Sequence, residues 1–203
     1  MSPRSKSRPA GRRFFLILFP PASAYLWPLP IMSDPIIDLH SDDYFMGEAL
    51  RQAARAYALG EVPVGAVVVQ AGRIIARAFN QVETLKDATA HAEMLALTQA
   101  ENAVGDWRLT DCTLYVTKEP CPMCAGAVVH TRLARVVFGA GDPKGGAAGG
   151  ALNLLQFPTL NHRCEITSGL RLEECRALLQ SFFAEQRAAK KNGEHFNTAE
   201  NSE

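Results

Sequence analysis

From Asp42 to Leu59 the apolar residues Phe45, Ala49, Leu50, Ala53, Ala56 and Tyr57 recur at helical spacing. Ser41 or Asp42 can cap the start of this helix and Gly60 can end it. Two runs rich in Val and Ile follow, Val64 to Gln70 and Arg73 to Phe79. Separated by Ala71-Gly72 alone, they predict a hairpin or a closely paired strand pair. Helical spacing returns over Ala90 to Asn102, and Thr113 to Thr117 predicts a third strand. Pro120 to Thr131 predicts a helix opened by its own proline. Ala134 to Gly139 predicts a fourth strand, and Arg163 to Thr167 a fifth beyond the glycine-rich stretch Gly139 to Gly150. A long helix runs from Leu172 to about Lys190. Strands alternating with helices predict a layered α/β domain in which helices cover one sheet.

The first forty residues follow a different pattern. Arg4, Lys6, Arg8, Arg12 and Arg13 precede an apolar run from Phe14 to Met32, with no acidic residue before Asp34, superficially as in a signal or transit peptide. Pro20, Pro21, Pro28 and Pro30 make that run a poor membrane helix, so no membrane partner is expected. Translation starting at Met32 is the simpler account, with a removable leader as the alternative. The expected organisation is a non-globular leader or over-called extension over 1–40, one domain over 41–191 and a flexible polar tail over 192–203. With 203 residues, 47% of them hydrophobic, the chain can bury one core but hardly two.

A formal net charge of zero excludes the global basicity that marks indiscriminate nucleic-acid binders, although the C-terminal half is the more electropositive. The five cysteines are an odd number, and Cys121-Pro-Met-Cys124 suits one metal better than a disulfide framework. A reducing, cytoplasmic compartment follows. Cys112, Cys164 and Cys175 stand alone in apolar or amphipathic stretches and read as buried, reduced side chains.

His91 in His91-Ala-Glu93, with Cys121 and Cys124 after Pro120, supplies three metal ligands. A structural zinc needs a fourth protein ligand, and none has suitable spacing, so three ligands and one open position predict a catalytic zinc, Zn2+. Two thiolates and a neutral imidazole would leave a water whose pKa falls to about 7. Helix N-termini at both ligand segments favour thiolate over thiol. Glu93, two residues past the ligand, can take a proton from that water without coordinating zinc. H-x-E followed by P-C-x-x-C is the signature of zinc-dependent nucleobase deaminases. In that chemistry zinc-bound hydroxide attacks the amine-bearing ring carbon, and Glu93 returns protons to the ring nitrogen and to departing ammonia. Alternatively, Glu93 caps a helix or pairs with a surface lysine.

The stretch Glu119-Pro-Cys-Pro-Met-Cys-Ala-Gly-Ala-Val-Val-His-Thr-Arg-Leu-Ala-Arg-Val-Val-Phe-Gly-Ala140 resembles the bacterial tRNA-specific adenosine deaminases, of the cytidine and deoxycytidylate deaminase superfamily. Glu61-Val-Pro-Val-Gly-Ala66, Asn80, Ala88-Thr-Ala-His-Ala-Glu93, Asp142-Pro-Lys144, Gly146-Ala-Ala-Gly149 and Asn161-His-Arg163 fall in the same order, so the resemblance spans about Asp42 to Arg187. It implies a cytidine-deaminase-like three-layer domain, with a mostly five-stranded mixed sheet covered by helices, working as a homodimer. The implied reaction converts the wobble adenosine of a tRNA anticodon stem-loop to inosine. Extrusion is cheapest for a loop base already partly unstacked. By the same resemblance, Asn80 hydrogen-bonds the flipped base, Val64 and the Pro63 region form an apolar wall, and Asp142 and Lys144 contact the surrounding nucleotides.

Local readings remain open beside these. Asp142 can start a turn before Pro143, Lys144 can be one solvated charge, and Asn80 can cap a turn. His162 and Phe183 also match positions near the substrate, but as residue types they suit a surface loop and a core helix face. Arg187, Lys190 and Lys191 can track phosphate or complement a helix end. Gly141 stands where the family often has a longer side chain, and Gly145 loosens the loop after Lys144. Two rival functions share parts of the pattern. One is a zinc deaminase of a free base or nucleoside of guanine or cytosine type, against which Arg135 to Ala140 and the Asp142-Pro-Lys144 loop argue. The other is a non-catalytic zinc-containing RNA-binding subunit, in which Glu93 would have no purpose.

Overall fold

A computed structural model describes residues 38–191. The tail over 192–203 and nearly all of the leader over 1–40 lie outside the described residues. Ten elements follow in order: α1 (Asp42–Ala58), β1 (Gly65–Gln70), β2 (Arg73–Phe79), α2 (Val82–Leu85), α3 (Ala92–Val104), β3 (Cys112–Lys118), α4 (Pro122–His130), β4 (Arg135–Ala140), β5 (Glu165–Ser168) and α5 (Leu172–Lys191). The sheet runs β2-β1-β3-β4-β5, antiparallel at its first two pairings and parallel at its last two. This is the expected mixed five-stranded sheet.

Alternation along the strands divides the core between two faces. Ala66 and Val68 of β1, Leu114 and Val116 of β3, and Val136 and Phe138 of β4 pack with Ala92, Ala96, Ala125 and Val128 of α3 and α4. Val67, Val69, Tyr115 and Val137 point the other way, onto Phe45, Met46 and Ala49 of α1 and Cys175 of α5. Burial on both faces is why these strands read as continuous apolar runs. Gly65 lets α1 approach the sheet: a Cβ there would strike the carbonyl of Ala49 and the amide of Ala53. Asp42, at the start of α1, receives the Tyr115 hydroxyl at 2.6 Å and Arg135 at 2.7 and 3.0 Å, tying the helix to β3 and β4.

Most boundaries lie within two residues of expectation, and the shifts have local causes. Ser41 caps α1 by accepting from the Tyr44 amide. In the hairpin turn Ala71 and Gly72 both have positive φ, 48° and 74°, the two-residue geometry that matches strand twist. The helix expected from Ala90 begins at Ala92, because His91 is its extended N-cap with ψ 151°. The helix expected from Pro120 begins at Pro122, because Cys121 is its N-cap with ψ 171°. The fifth strand starts at Glu165 instead of Arg163. α2 has no local signature: it is one turn long, and its N-cap Gln81 makes no side-chain cap bond. Among the described residues, no helix is long and apolar enough to cross a membrane.

Candidate metal centre and active site

α3 and α4 lie on the same face of the sheet, and their N-termini meet. Each places a ligand at its N-cap, His91 on α3 and Cys121 on α4, while Cys124 stands one turn into α4. The His91 Nδ1 atom is 3.6 Å from Cys121 Sγ and 3.5 Å from Cys124 Sγ, and the two sulfurs are 3.6 Å apart. A tetrahedral zinc bonded at about 2.3 Å to sulfur and about 2.0–2.1 Å to nitrogen separates its ligand atoms by roughly 3.6–3.8 Å. The triangle therefore fits that ion, and its softness suits two sulfurs and an imidazole.

Without a metal, the three ligand groups compete for protons. Hydrogen bonds from Cys124 and then His91 draw the Cys121 thiol down to about 3, while contact with Cys121 and burial push Cys124 up. The same cluster raises His91, chiefly through its contact with Cys121. Metal binding displaces such shared protons, since zinc takes thiolates and neutral imidazole. Glu93, in the first turn of α3, is 4% exposed, and burial raises its carboxyl above the ordinary range.

A cavity of about 300 Å³ opens onto His91, Glu93 and Cys121. Val64 and Asn80 line it, as do Val62, Val82, Glu61, Glu83, Lys118 and Glu119. Pro63 is buried between the two lining valines and is not itself among the lining residues. Asp142 and Lys144 also lie outside the lining. The Asp142 carboxylate accepts from Lys118 Nζ at 2.6 Å and from the Lys144 and Gly145 amides at 3.0 Å each, so it begins a turn and holds a cavity-wall lysine. Lys118 is the main cause that brings the Asp142 carboxyl down to about 2. Lys144 is exposed. His162 donates through Nε2 to the Leu133 carbonyl at 2.7 Å. Phe183 is 43% exposed and stacks edge-on against Phe182, which takes the core position instead.

Two carboxylates that sequence reasoning left unassigned organise this region. Glu119, 3% exposed, accepts from the amides of Asp142, Ala148 and Gly150 at 2.8, 2.9 and 2.8 Å. A Cβ at Gly146 would collide with this carboxylate, so the loop needs a glycine there. Glu61 is fully buried and accepts from Asn80 Nδ2 and from the Glu83 and Thr84 amides. Each opens a segment that carries the family resemblance, Glu61-Val-Pro-Val-Gly-Ala66 and Glu119-Pro-Cys121, but nothing local in either segment points to a role for the carboxylate.

Comparison with known proteins agrees with this geometry. The MafB19-like deaminase family model matches residues 40–187. The tRNA-specific adenosine deaminase of Bacillus subtilis (strain 168) is 55% identical over 150 residues, spanning 74% of this chain and 93% of its own. That of Haemophilus influenzae is 46% identical over 151 residues, 74% of this chain and 87% of its own. Among solved structures, a tRNA:A34 deaminase studied for A-to-I editing at the wobble position of transfer RNA superposes with TM-score 0.65 at 44% identity. It covers 67% of this chain and 99% of its own. Guanine deaminase from Nitrosomonas europaea superposes with TM-score 0.62 at 26% identity, over 71% and 85%. The chain belongs to the tRNA-specific adenosine deaminases, within the MafB19-like deaminase family.

Proposed function

We propose that this chain hydrolyses the wobble adenosine of a tRNA anticodon to inosine, with His91, Cys121 and Cys124 holding one zinc and Glu93 moving the protons. The observation that carries it is the ligand triangle at two helix N-termini, with buried Glu93 beside it in a cavity, in a chain of this family. Zinc in this site supplies a Lewis acid that makes water nucleophilic near neutral pH. Glu93 accepts a proton from the attacking water and gives it to the adenine ring nitrogen N1, then takes the remaining proton from the new C6 hydroxyl and passes it to the amine. A C–O bond forms at C6, the C6–N6 bond breaks, and ammonia leaves. Val64, with Pro63 behind it, packs against the base, and Asn80 reads its edge. Asp142 and Lys144 sit outside the cavity, where flanking nucleotides of the stem-loop would lie. The protein is expected to act as a cytoplasmic homodimer, with residues 41–191 as its deaminase domain.

A free-base deaminase is the second reading, favoured by the superposition on a guanine deaminase. Zinc-loaded protein offered a wobble-adenosine stem-loop together with adenosine, cytidine and guanine should convert the stem-loop alone. Chelation should stop conversion and re-addition of zinc restore it. Turnover of guanine with an untouched stem-loop would keep the metal chemistry and replace the substrate.

A further inference from the structure

Asn80 and Glu61 form a buried pair whose hydrogen-bond direction is determined. Glu61 Oε1 accepts from the Thr84 amide at 2.7 Å, and Oε2 accepts from the Glu83 amide at 3.2 Å. Backbone amides can only donate, so both carboxylate oxygens act as acceptors. Asn80 meets Oε2 at 3.1 Å and must turn Nδ2, not Oδ1, toward it. This fixes an amide orientation that is otherwise ambiguous between oxygen and nitrogen. Asn80 Oδ1 has no protein donor among the described residues, and it is not among the enclosed polar atoms lacking a partner. Asn80 lines the cavity, so Oδ1 and the second Nδ2–H are left for whatever binds there.

We infer that Glu61 is a positioning residue that sets the hydrogen-bonding polarity with which Asn80 meets the substrate base. The inference rests on the proposed adenosine reaction. An amide held this way presents an acceptor beside a donor. Adenine offers the complement in its N6 amine and N7, whereas guanine offers two acceptors there, O6 and N7. Inverting the amide in place would set Oδ1 against N7 and a donor against the amine. Glu61 makes that inversion unfavourable, because Oδ1 would then face a carboxylate oxygen inside a fully buried contact. The same carboxylate receives the two amides that open α2, so the segment beyond Asn80 is anchored by the residue that orients it.

Glu61→Gln keeps an oxygen for the shorter Thr84 contact, gives up the longer Glu83 one, and places an NH2 group at Asn80, which favours the inverted amide. Asn80→Asp in that background can accept from the new NH2 while again presenting an oxygen to the cavity. In the otherwise unchanged protein, Asn80→Asp sets two carboxylates against each other. The measurement is kcat and KM on the wobble-adenosine stem-loop for the unmodified chain, both single variants and the double variant, with zinc content and thermal midpoint for each. Glu61→Gln is expected to bind zinc at the original stoichiometry and lose about 10- to 100-fold in kcat/KM, mostly through KM. The double variant is expected to recover activity relative to Glu61→Gln.

Unchanged kcat/KM in Glu61→Gln would overturn the inference. So would loss of zinc and of the folding transition that Asn80→Asp does nothing to repair, since Glu61 would then be purely structural. An unmodified chain inert on the stem-loop would instead overturn the adenosine reaction, and this assignment with it.

Discussion

The five thiols of this chain sit in different surroundings, four of them buried and Cys121 only partly so. Burial is the main cause that pushes Cys112 and Cys164 up to about 12 and Cys175 up to about 11, and none of the three touches the ligand triangle. Cys121, half-buried at a helix N-terminus, is drawn down to about 3. Metal-free protein at pH 7 treated with iodoacetamide should therefore be alkylated first at Cys121, and zinc should protect it. Earlier labelling of Cys164, read by peptide mass spectrometry, would contradict this assignment. The ligands and Glu93 were legible in the sequence because H-x-E and P-C-x-x-C are local patterns. Glu61 and Glu119 were not, since their partners lie about twenty or more residues away and a buried carboxylate looks in sequence like any polar loop residue.

At the scale of elements, periodicity located nine of the ten, and missed α2 because its first amides are satisfied by Glu61 instead of a local cap. Packing of α1 on β1 leaves no room for a side chain at Gly65. Gly65→Ala would force a methyl group into the α1 backbone and should cost about 1–3 kcal/mol or more, visible as a lowered urea midpoint. An unchanged midpoint would mean α1 can shift without loss. The loop over 141–150 is held by Glu119 and by the Lys118–Asp142 ion pair. Asp142 is lowered from 3.8 to about 2, so its contribution is complete above pH 3.8 and disappears as pH falls through about 2. Asp142→Asn should be less stable than the original at pH 7, and the difference should close between pH 4 and pH 2. A difference independent of pH would mean that the ion pair does not stabilise the loop.

For the whole molecule, the sheet order explains why one site forms where it does. β3 leads directly into the Cys121 cap, and β2 leads through α2 to the His91 cap, so two strand exits deliver two helix N-termini to one face. The alternation of strand and helix announced the layered class, but how those termini converge depends on strand order, which pairing across the sheet decides. On the proposed reading, this convergence performs hydrolytic deamination of wobble adenosine through Glu93. The most direct measurement is inosine formation in a zinc-loaded single-turnover reaction on an anticodon stem-loop, comparing the unmodified chain with Glu93→Gln. The unmodified chain should convert the stem-loop, and Glu93→Gln should lose about 10²- to 10⁴-fold while still holding one zinc per chain. Conversion by zinc-loaded Glu93→Gln at the unmodified rate would contradict this role of Glu93.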